Sequence, residues 1–352
     1  MSALPRLRWS QARAEGAAFD AFSSALVRTC EEVGFFYLEQ PDLPAGAAER
    51  LERAAHAFFE LPEEQRKRSA MPRAGRAWRG SFPLGAEATS GAPDHKQGFY
   101  FGEELDVRDD RVRRQLPLCG ANLFPEPALH PALASFREDV LAWMDAMEGI
   151  ARRLLEALAH GLGLERAWFR EHGYQRPTRL FRIFHYPPLP TPSAWSVGAH
   201  TDYGGLTLLH QDERGGLEVH TPDGWRAAPP LSGSLVCNLG DMLQRATGGH
   251  FRSTLHRVRN STDRARVSMP YFHDPDLERR LDRVPGLRPR SDDAAQRWDG
   301  RSAQGYEGVY GDYLLAKVRR VFPDLARAVL DPAPSFGTSA QAPSDAGAEE
   351  QN

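Results

Sequence analysis

Cysteine is scarce in this chain of 352 residues: Cys30, Cys119 and Cys237 stand far apart and form no CxxC pair. That scarcity excludes a disulfide-stapled scaffold and predicts reduced, buried thiols. No run is long and apolar enough to span a bilayer, and the opening MSALPRLRWSQARAEG lacks the apolar core of a secretory signal. The expectation is a cytoplasmic protein with no membrane partner. Charge of one sign is not in excess either. The 44 Lys and Arg stand against 47 Asp and Glu, a net −3, so nothing calls for a nucleic-acid partner. No internal repeat and no obligate protein partner are evident. What is present is an ordinary globular composition, 41% hydrophobic and 10% aromatic, enough to bury a sizeable core.

Two textures divide the chain. In the N-terminal half, Phe19, Phe22, Leu26 and Cys30 recur at helical spacing over residues 17 to 32, and Gly34 ends the stripe. Residues 35 to 38, FFYL, read as a strand. A second helix is expected from about residue 45 to 59, stopping before Pro62, and the basic run KRSAMPRAGRAWRGS reads as a loop. From 131 to 162 a long helical pattern carries Leu133, Phe136, Val140, Trp143, Met147, Ile150, Leu154 and Leu158, with Gly161 and Gly163 closing it. Beyond Thr178 come short β-rich runs between Pro and Gly turns: TRLFRIFHY, LTLLHQ, GLEVH, GSLVCNL, TLHRV and RVSMPYF. These imply a compact antiparallel barrel or jelly roll. The expected division is an N-terminal region over 1–125, a bracing helix over 126–175, a jelly-roll core over 176–276, a helical extension over 277–330 and a disordered tail over 331–352.

His200 and Asp202 lie two positions apart in GAHTDYGGLTLLHQD, so both can leave an extended segment on one side and grip one ion. Two imidazoles and a carboxylate leave coordination positions open, as an oxygen-activating iron(II) requires. An HxD pair is a weak signal by itself. His256, on the strand-like run TLHRV, is the best third ligand. His250 sits in the turn GGHFRS, a poorer scaffold, and is its leading rival. His210 and His220 flank a GGL turn, and Asp241 in NLGDML reads as a turn former. Further on, Arg266 and Ser268 share one face of a strand and together make a carboxylate receptor. On TRLFRIFHY, Arg182, Phe184 and Tyr186 share one face, and Phe181, Ile183 and His185 the other.

The ordered series HYPP, HTDYGGLTLLHQD, GGLEVH, NLGD, STLHRV and RVS resembles the isopenicillin N synthase-like family of iron(II)- and 2-oxoglutarate-dependent dioxygenases, and EEVGFFYL resembles that family's N-terminal region. The resemblance implies an α+β fold: a double-stranded β-helix, or jelly roll, flanked by helices, with a mainly helical N-terminal region. It implies iron held by His200, Asp202 and His256, the distal carboxylate of 2-oxoglutarate held by Arg266 and Ser268, and a further cosubstrate contact from Tyr186. Many plant members carry Asn two residues before that tyrosine, where this chain has Phe184. The implied cofactors are Fe(II), the cosubstrate 2-oxoglutarate and O₂, with ascorbate as an optional reductant. The implied reaction couples oxidative decarboxylation of 2-oxoglutarate to succinate and CO₂ with hydroxylation or another C–H oxidation of a small molecule.

Other chemistries fit part of the pattern. An oxidase of the isopenicillin N synthase type would use the R-x-S pair on a substrate carboxylate, and an ethylene-forming relative would break down 2-oxoglutarate itself. A zinc hydrolase gives no reason for Arg266 and Ser268. An inactive jelly-roll binding module would be expected to lack one of the five residues. The prime-substrate pocket is assigned, from face and from proximity to the motifs, to Phe99, Tyr100, Arg182, Phe184, Tyr203, Leu209 and Phe272. Arg182 hints at an acidic substrate group, the commoner fate of such an arginine being a salt bridge to a neighbouring carboxylate.

Overall fold

A computed structural model describes residues 4–189, 191, 195–260, 263–290, 302–331 and 336–337. Apolar residues at three- and four-residue steps give the three long helices Ala17–Glu32, Ala47–Glu60 and Phe136–Gly161. The last of these buries Phe136, Val140, Trp143, Met147, Ile150, Leu154 and Leu158 along one stripe. Pro131–Leu133, expected within it, forms a separate 3₁₀ turn. Its first turn is tied to Ala47–Glu60 where Arg50 grips the Asp139 carboxylate, Nη2 to Oδ1 at 2.6 Å. Gly161 lies inside the helix, and a side chain there would collide with the Ser23 carbonyl of Ala17–Glu32, so its bareness sets how closely the two helices pack.

Against this helical layer lies an eight-stranded sheet in the order β1 (Arg6–Arg8), β2 (Phe35–Glu39), β10 (Ser234–Leu239), β7 (Leu206–Gln211), β12 (Arg266–Asp274), β5 (Thr178–Tyr186), β4 (Gln97–Gly102), β3 (Gly80–Phe82). Only the β1–β2 pair is parallel. A second, four-stranded antiparallel sheet runs β6 (Val197–His200), β11 (His256–Val258), β8 (Leu217–Thr221), β9 (Gly224–Ala227). The two sheets are those of a jelly roll, with one side of the larger sheet closed by helices. Four of its eight strands come from residues before 103, so the N-terminal region is built into the sheet as well as laid over it.

The basic run after the second helix is more ordered than a loop. It folds into the 3₁₀ turns Lys67–Ser69 and Met71–Ala77 and enters β3, burying Trp78 and Arg79 on the way. Arg79 Nη2 donates to the Leu118 carbonyl at 2.8 Å. All three cysteines are buried and free. At the far end, helices Tyr310–Val321 and Pro323–Val329 follow the jelly roll. The expected disordered tail lies outside the described residues except for Asp331, Phe336 and Gly337, and at Phe336 the expectation fails. That ring is buried over Gly311, and the Phe336 backbone N–H donates to Asp312 at 2.8 Å, because a large aromatic finds an apolar slot that composition alone does not reveal.

Candidate active site

The antiparallel register of β6 and β11 sets His200 directly opposite His256, their rings 4.2 Å apart. Asp202 follows in the turn to β7, with Oδ1 at 3.7 Å from His256 Nε2. One ligand atom from each residue lies within 4.8 Å of the other two, the one such His, Cys, Asp or Glu group among the described residues. The turn itself needs Gly204 and Gly205, because a Cβ at either would run into the Asp274 carboxylate or the Tyr174 hydroxyl.

Each of the three residues is oriented by a partner. His200 Nδ1 donates to the Gly198 carbonyl at 2.9 Å and His256 Nδ1 to the Thr254 carbonyl at 3.1 Å, which leaves each Nε2 lone pair for a metal. Burial, with His256 alongside, pushes His200 down to about 3, so its ring is neutral and able to ligate. For Asp202, burial acts upward but is outweighed by the two imidazoles and by hydrogen bonds from Thr207 and Asn238, which hold the carboxyl below its ordinary value. Thr207 Oγ1 at 2.5 Å and Asn238 Nδ2 at 2.6 Å both donate to Oδ2, leaving Oδ1 free. These two donors are cross-strand partners on β7 and β10, which is why they converge on one oxygen. Two imidazoles, one carboxylate and an adjoining cavity fit an iron(II) site with open positions.

Two cavities meet at these ligands. The first, about 70 Å³, has His200, Asp202 and His256 at one end and Tyr186, Arg266 and Ser268 in its wall. The β5–β12 register pairs Arg266 with Tyr186 and Ser268 with Phe184, so these groups share a face. The Arg266 side chain is buried, lies 4.8 Å from the Tyr186 ring centre and donates through Nε to the Gly215 carbonyl. Its Nη1 is buried without a hydrogen-bond partner among the described residues. Ser268 Oγ is 3.4 Å from Tyr186 Oη. An orphaned guanidinium nitrogen inside a protein is costly, and a carboxylate entering this cavity satisfies it.

The second cavity, about 100 Å³, shares Lys96, His200, Asp202, Phe184 and Phe272 with the first and adds Tyr100, Arg182 and Tyr203. Leu209 lines the first cavity only. Phe99 lines neither. Strand alternation sends it to the opposite face of β4 from Tyr100, where it packs with Phe101 of the same strand and with Phe58, Phe59 and Phe136 of the helical layer. The other histidines stand apart from the triad. His250 Nε2 faces the Arg288 carbonyl at 2.9 Å, His210 pairs with Glu52 at 2.8 Å, and His220 packs on Trp225. Asp241 opens the Asp241–Ala246 helix, its N–H donating to the Asp202 carbonyl at 2.8 Å.

Sequence reasoning missed a buried ionic cluster in the second cavity's wall. Lys96 Nζ lies 2.7 Å from Asp94 Oδ2 and 3.0 Å from Glu87 Oε2, and Tyr100 Oη donates to Glu87 Oε1 at 2.5 Å. Glu87, Asp94 and Lys96 fall in an aperiodic stretch with no local signal of burial. Thr207 and Asn238 were also unassigned, though their place on alternating strands held a usable one. A larger groove of about 1240 Å³ beside His56, Trp143 and His210 includes none of the triad, so size does not mark the site.

Comparison with known proteins agrees with this geometry. Residues 177–275 match the 2OG-Fe(II) oxygenase superfamily model, and residues 4–127 match the model of the non-haem dioxygenase in morphine synthesis N-terminal region. A probable iron/ascorbate oxidoreductase of Dictyostelium discoideum is 39% identical over 329 residues, covering 88% of this chain and 91% of the relative. A 2-oxoglutarate-dependent dioxygenase of Monascus ruber, citB, is 33% identical, covering 77% and 81%. Among solved structures, a full-length Neurospora crassa protein in complex with alpha-KG superposes with a TM-score of 0.72 at 25% identity, covering 90% of this chain and 95% of that one. With the N-terminal and catalytic models matched in order and a relative aligned along most of both lengths, the chain belongs to the 2OG-Fe(II) oxygenase superfamily and is an iron(II)- and 2-oxoglutarate-dependent dioxygenase.

Proposed function

We propose that His200, Asp202 and His256 hold the iron, that Arg266 and Ser268 with Tyr186 receive the distal carboxylate of 2-oxoglutarate, and that a small organic substrate occupies the second cavity. Bound iron(II) supplies O₂ activation, coupling decarboxylation of 2-oxoglutarate to succinate and CO₂ with oxidation of a substrate C–H bond. Asp202 offers Oδ1 to the metal while Thr207 and Asn238 keep Oδ2 occupied. The carbonyls of Gly198 and Thr254 hold both imidazoles in the ligating tautomer. Arg266 fixes the cosubstrate by charge and fork geometry, and Phe184 and Phe272, in the walls of both cavities, exclude water between the two reactants. The observation that carries this reading is the buried, unpartnered Nη1 of Arg266 in the cavity that ends at the three ligands.

The test is an anaerobic titration of 2-oxoglutarate into the Fe(II)-loaded protein, followed by O₂ and a succinate assay. Saturable binding and succinate formation are expected. Arg266→Ala should raise the 2-oxoglutarate Kd roughly ten- to a hundredfold, the loss of one charge-assisted contact, while Fe(II) affinity moves by less than about threefold. Equal loss of both would overturn the division of labour.

A further inference from the structure

Arg182 is buried, 7% exposed, in the wall of the second cavity. Its Nη1 donates to the backbone carbonyls of Phe101 at 3.0 Å and Phe181 at 3.2 Å, and the side chain also hydrogen-bonds Tyr100. Its guanidinium lies 3.5 Å from the Tyr100 ring centre, which orients the plane without neutralising the charge. Among the described residues no carboxylate comes within 4.0 Å of its nitrogens. The two acids in the same wall besides Asp202 have other partners. Glu87 is taken by Tyr100 and Lys96, and Asp274 accepts from Tyr310 Oη at 2.6 Å and from the Gly205 N–H at 2.9 Å. A buried guanidinium with no anion in contact is a costly arrangement unless an incoming group supplies one.

The rest of the wall differs in kind. Helix Tyr310–Val321 contributes Leu314, Val318 and Val321, and the sheet contributes Leu180, Phe184 and Phe272. One side of the cavity therefore carries a buried guanidinium and another is apolar, with His200 and Asp202 also in its wall. We propose that the prime substrate is a small carboxylic acid whose carboxylate docks on Arg182 and whose apolar body lies against Leu314, Val318 and Phe272. This rests on the iron and 2-oxoglutarate assignment above and adds the substrate class. Docking at Arg182 forms no covalent bond, so Arg182 acts by choosing and placing the substrate, and the C–H bond oxidised lies on the apolar body.

The test uses hexanoic, cyclohexanecarboxylic and 3-phenylpropanoic acids beside their primary amides, which keep shape and lose charge. Binding to the Fe(II)- and 2-oxoglutarate-loaded protein is read anaerobically by thermal shift, and substrate-stimulated succinate formation is then read in air. At least one acid should bind and stimulate, with its amide weaker by roughly ten- to a hundredfold, the value of a charge-assisted pair. Arg182→Gln should erase that acid-over-amide preference and Arg182→Lys should restore part of it, with 2-oxoglutarate affinity unchanged in both. Amides binding as well as acids, no acid binding, or a preference that survives Arg182→Gln would each overturn the proposal. Failure of 2-oxoglutarate to bind the wild-type protein at all would instead sink the underlying assignment, so the two failures are distinguishable.

Discussion

The two cavities that meet at His200 and Asp202 each contain a buried arginine on one of a pair of adjacent strands, yet they are built differently. Around Arg266 the groups proposed to receive the cosubstrate, Tyr186, Arg266 and Ser268, come from β5 and β12, whose register puts them on one face. Around Arg182 they come from strand, aperiodic loop and C-terminal helix together: Tyr100, Glu87 and Lys96, then Tyr310. A site read from one strand pair is short-range and rigid. A site assembled from distant segments is set by packing, so its chemistry can be altered without disturbing the metal.

Four experiments break or sharpen that contrast. Asp202 belongs to both cavities, so Asp202→Ala should abolish both functions: Fe(II) binding and succinate formation should be lost together, since a methyl supplies neither charge nor ligand oxygen. Metal-titrated protein with wild-type turnover would refute the ligand assignment. Next in size is Phe99→Ala, a core deletion expected to lower stability by about 3 to 5 kcal/mol in denaturant unfolding while leaving acid-over-amide preference intact. A changed substrate preference at unchanged stability would return Phe99 to the pocket.

Asn238→Ala removes one donor from Asp202 Oδ2 and should weaken Fe(II) binding roughly tenfold, measured by competition with a chromophoric chelator. The preference set by Arg182 should not move. The smallest effect concerns Asp274, on the substrate side, where burial pushes the carboxyl up to about 7 against the opposing hydrogen bonds from Tyr310 and Gly205. Between about pH 4, its unfolded value, and pH 7 the folded protein binds the extra proton, so this group's contribution to stability falls as pH rises through that window. Asp274→Asn should flatten the corresponding part of a Tm-against-pH curve. An unchanged slope would show that Asp274 does not titrate there.

The proposed metal ligands and the R-x-S pair are legible as candidates because each depends on spacing within one strand or turn, where period two fixes the shared face. Periodicity also marked the long helices and most strands of the jelly roll. It did not mark β4, whose residues Gln97–Gly102 are buried throughout and carry no alternation. Phe99 was misplaced for the same reason: beside Tyr100 in sequence, it points the other way from a strand that was not recognised.

The sequence by itself determined which residues can chelate iron and which can receive a carboxylate, since those properties belong to side-chain type and local spacing. Only the tertiary structure decided that Thr207 and Asn238 converge on one oxygen of Asp202, that Lys96 is consumed by Glu87 and Asp94, and that Arg182 meets no carboxylate among the described residues. Each of those outcomes depends on which distant segments pair and in what register, and burial then gives a charge or an unfilled donor its consequence.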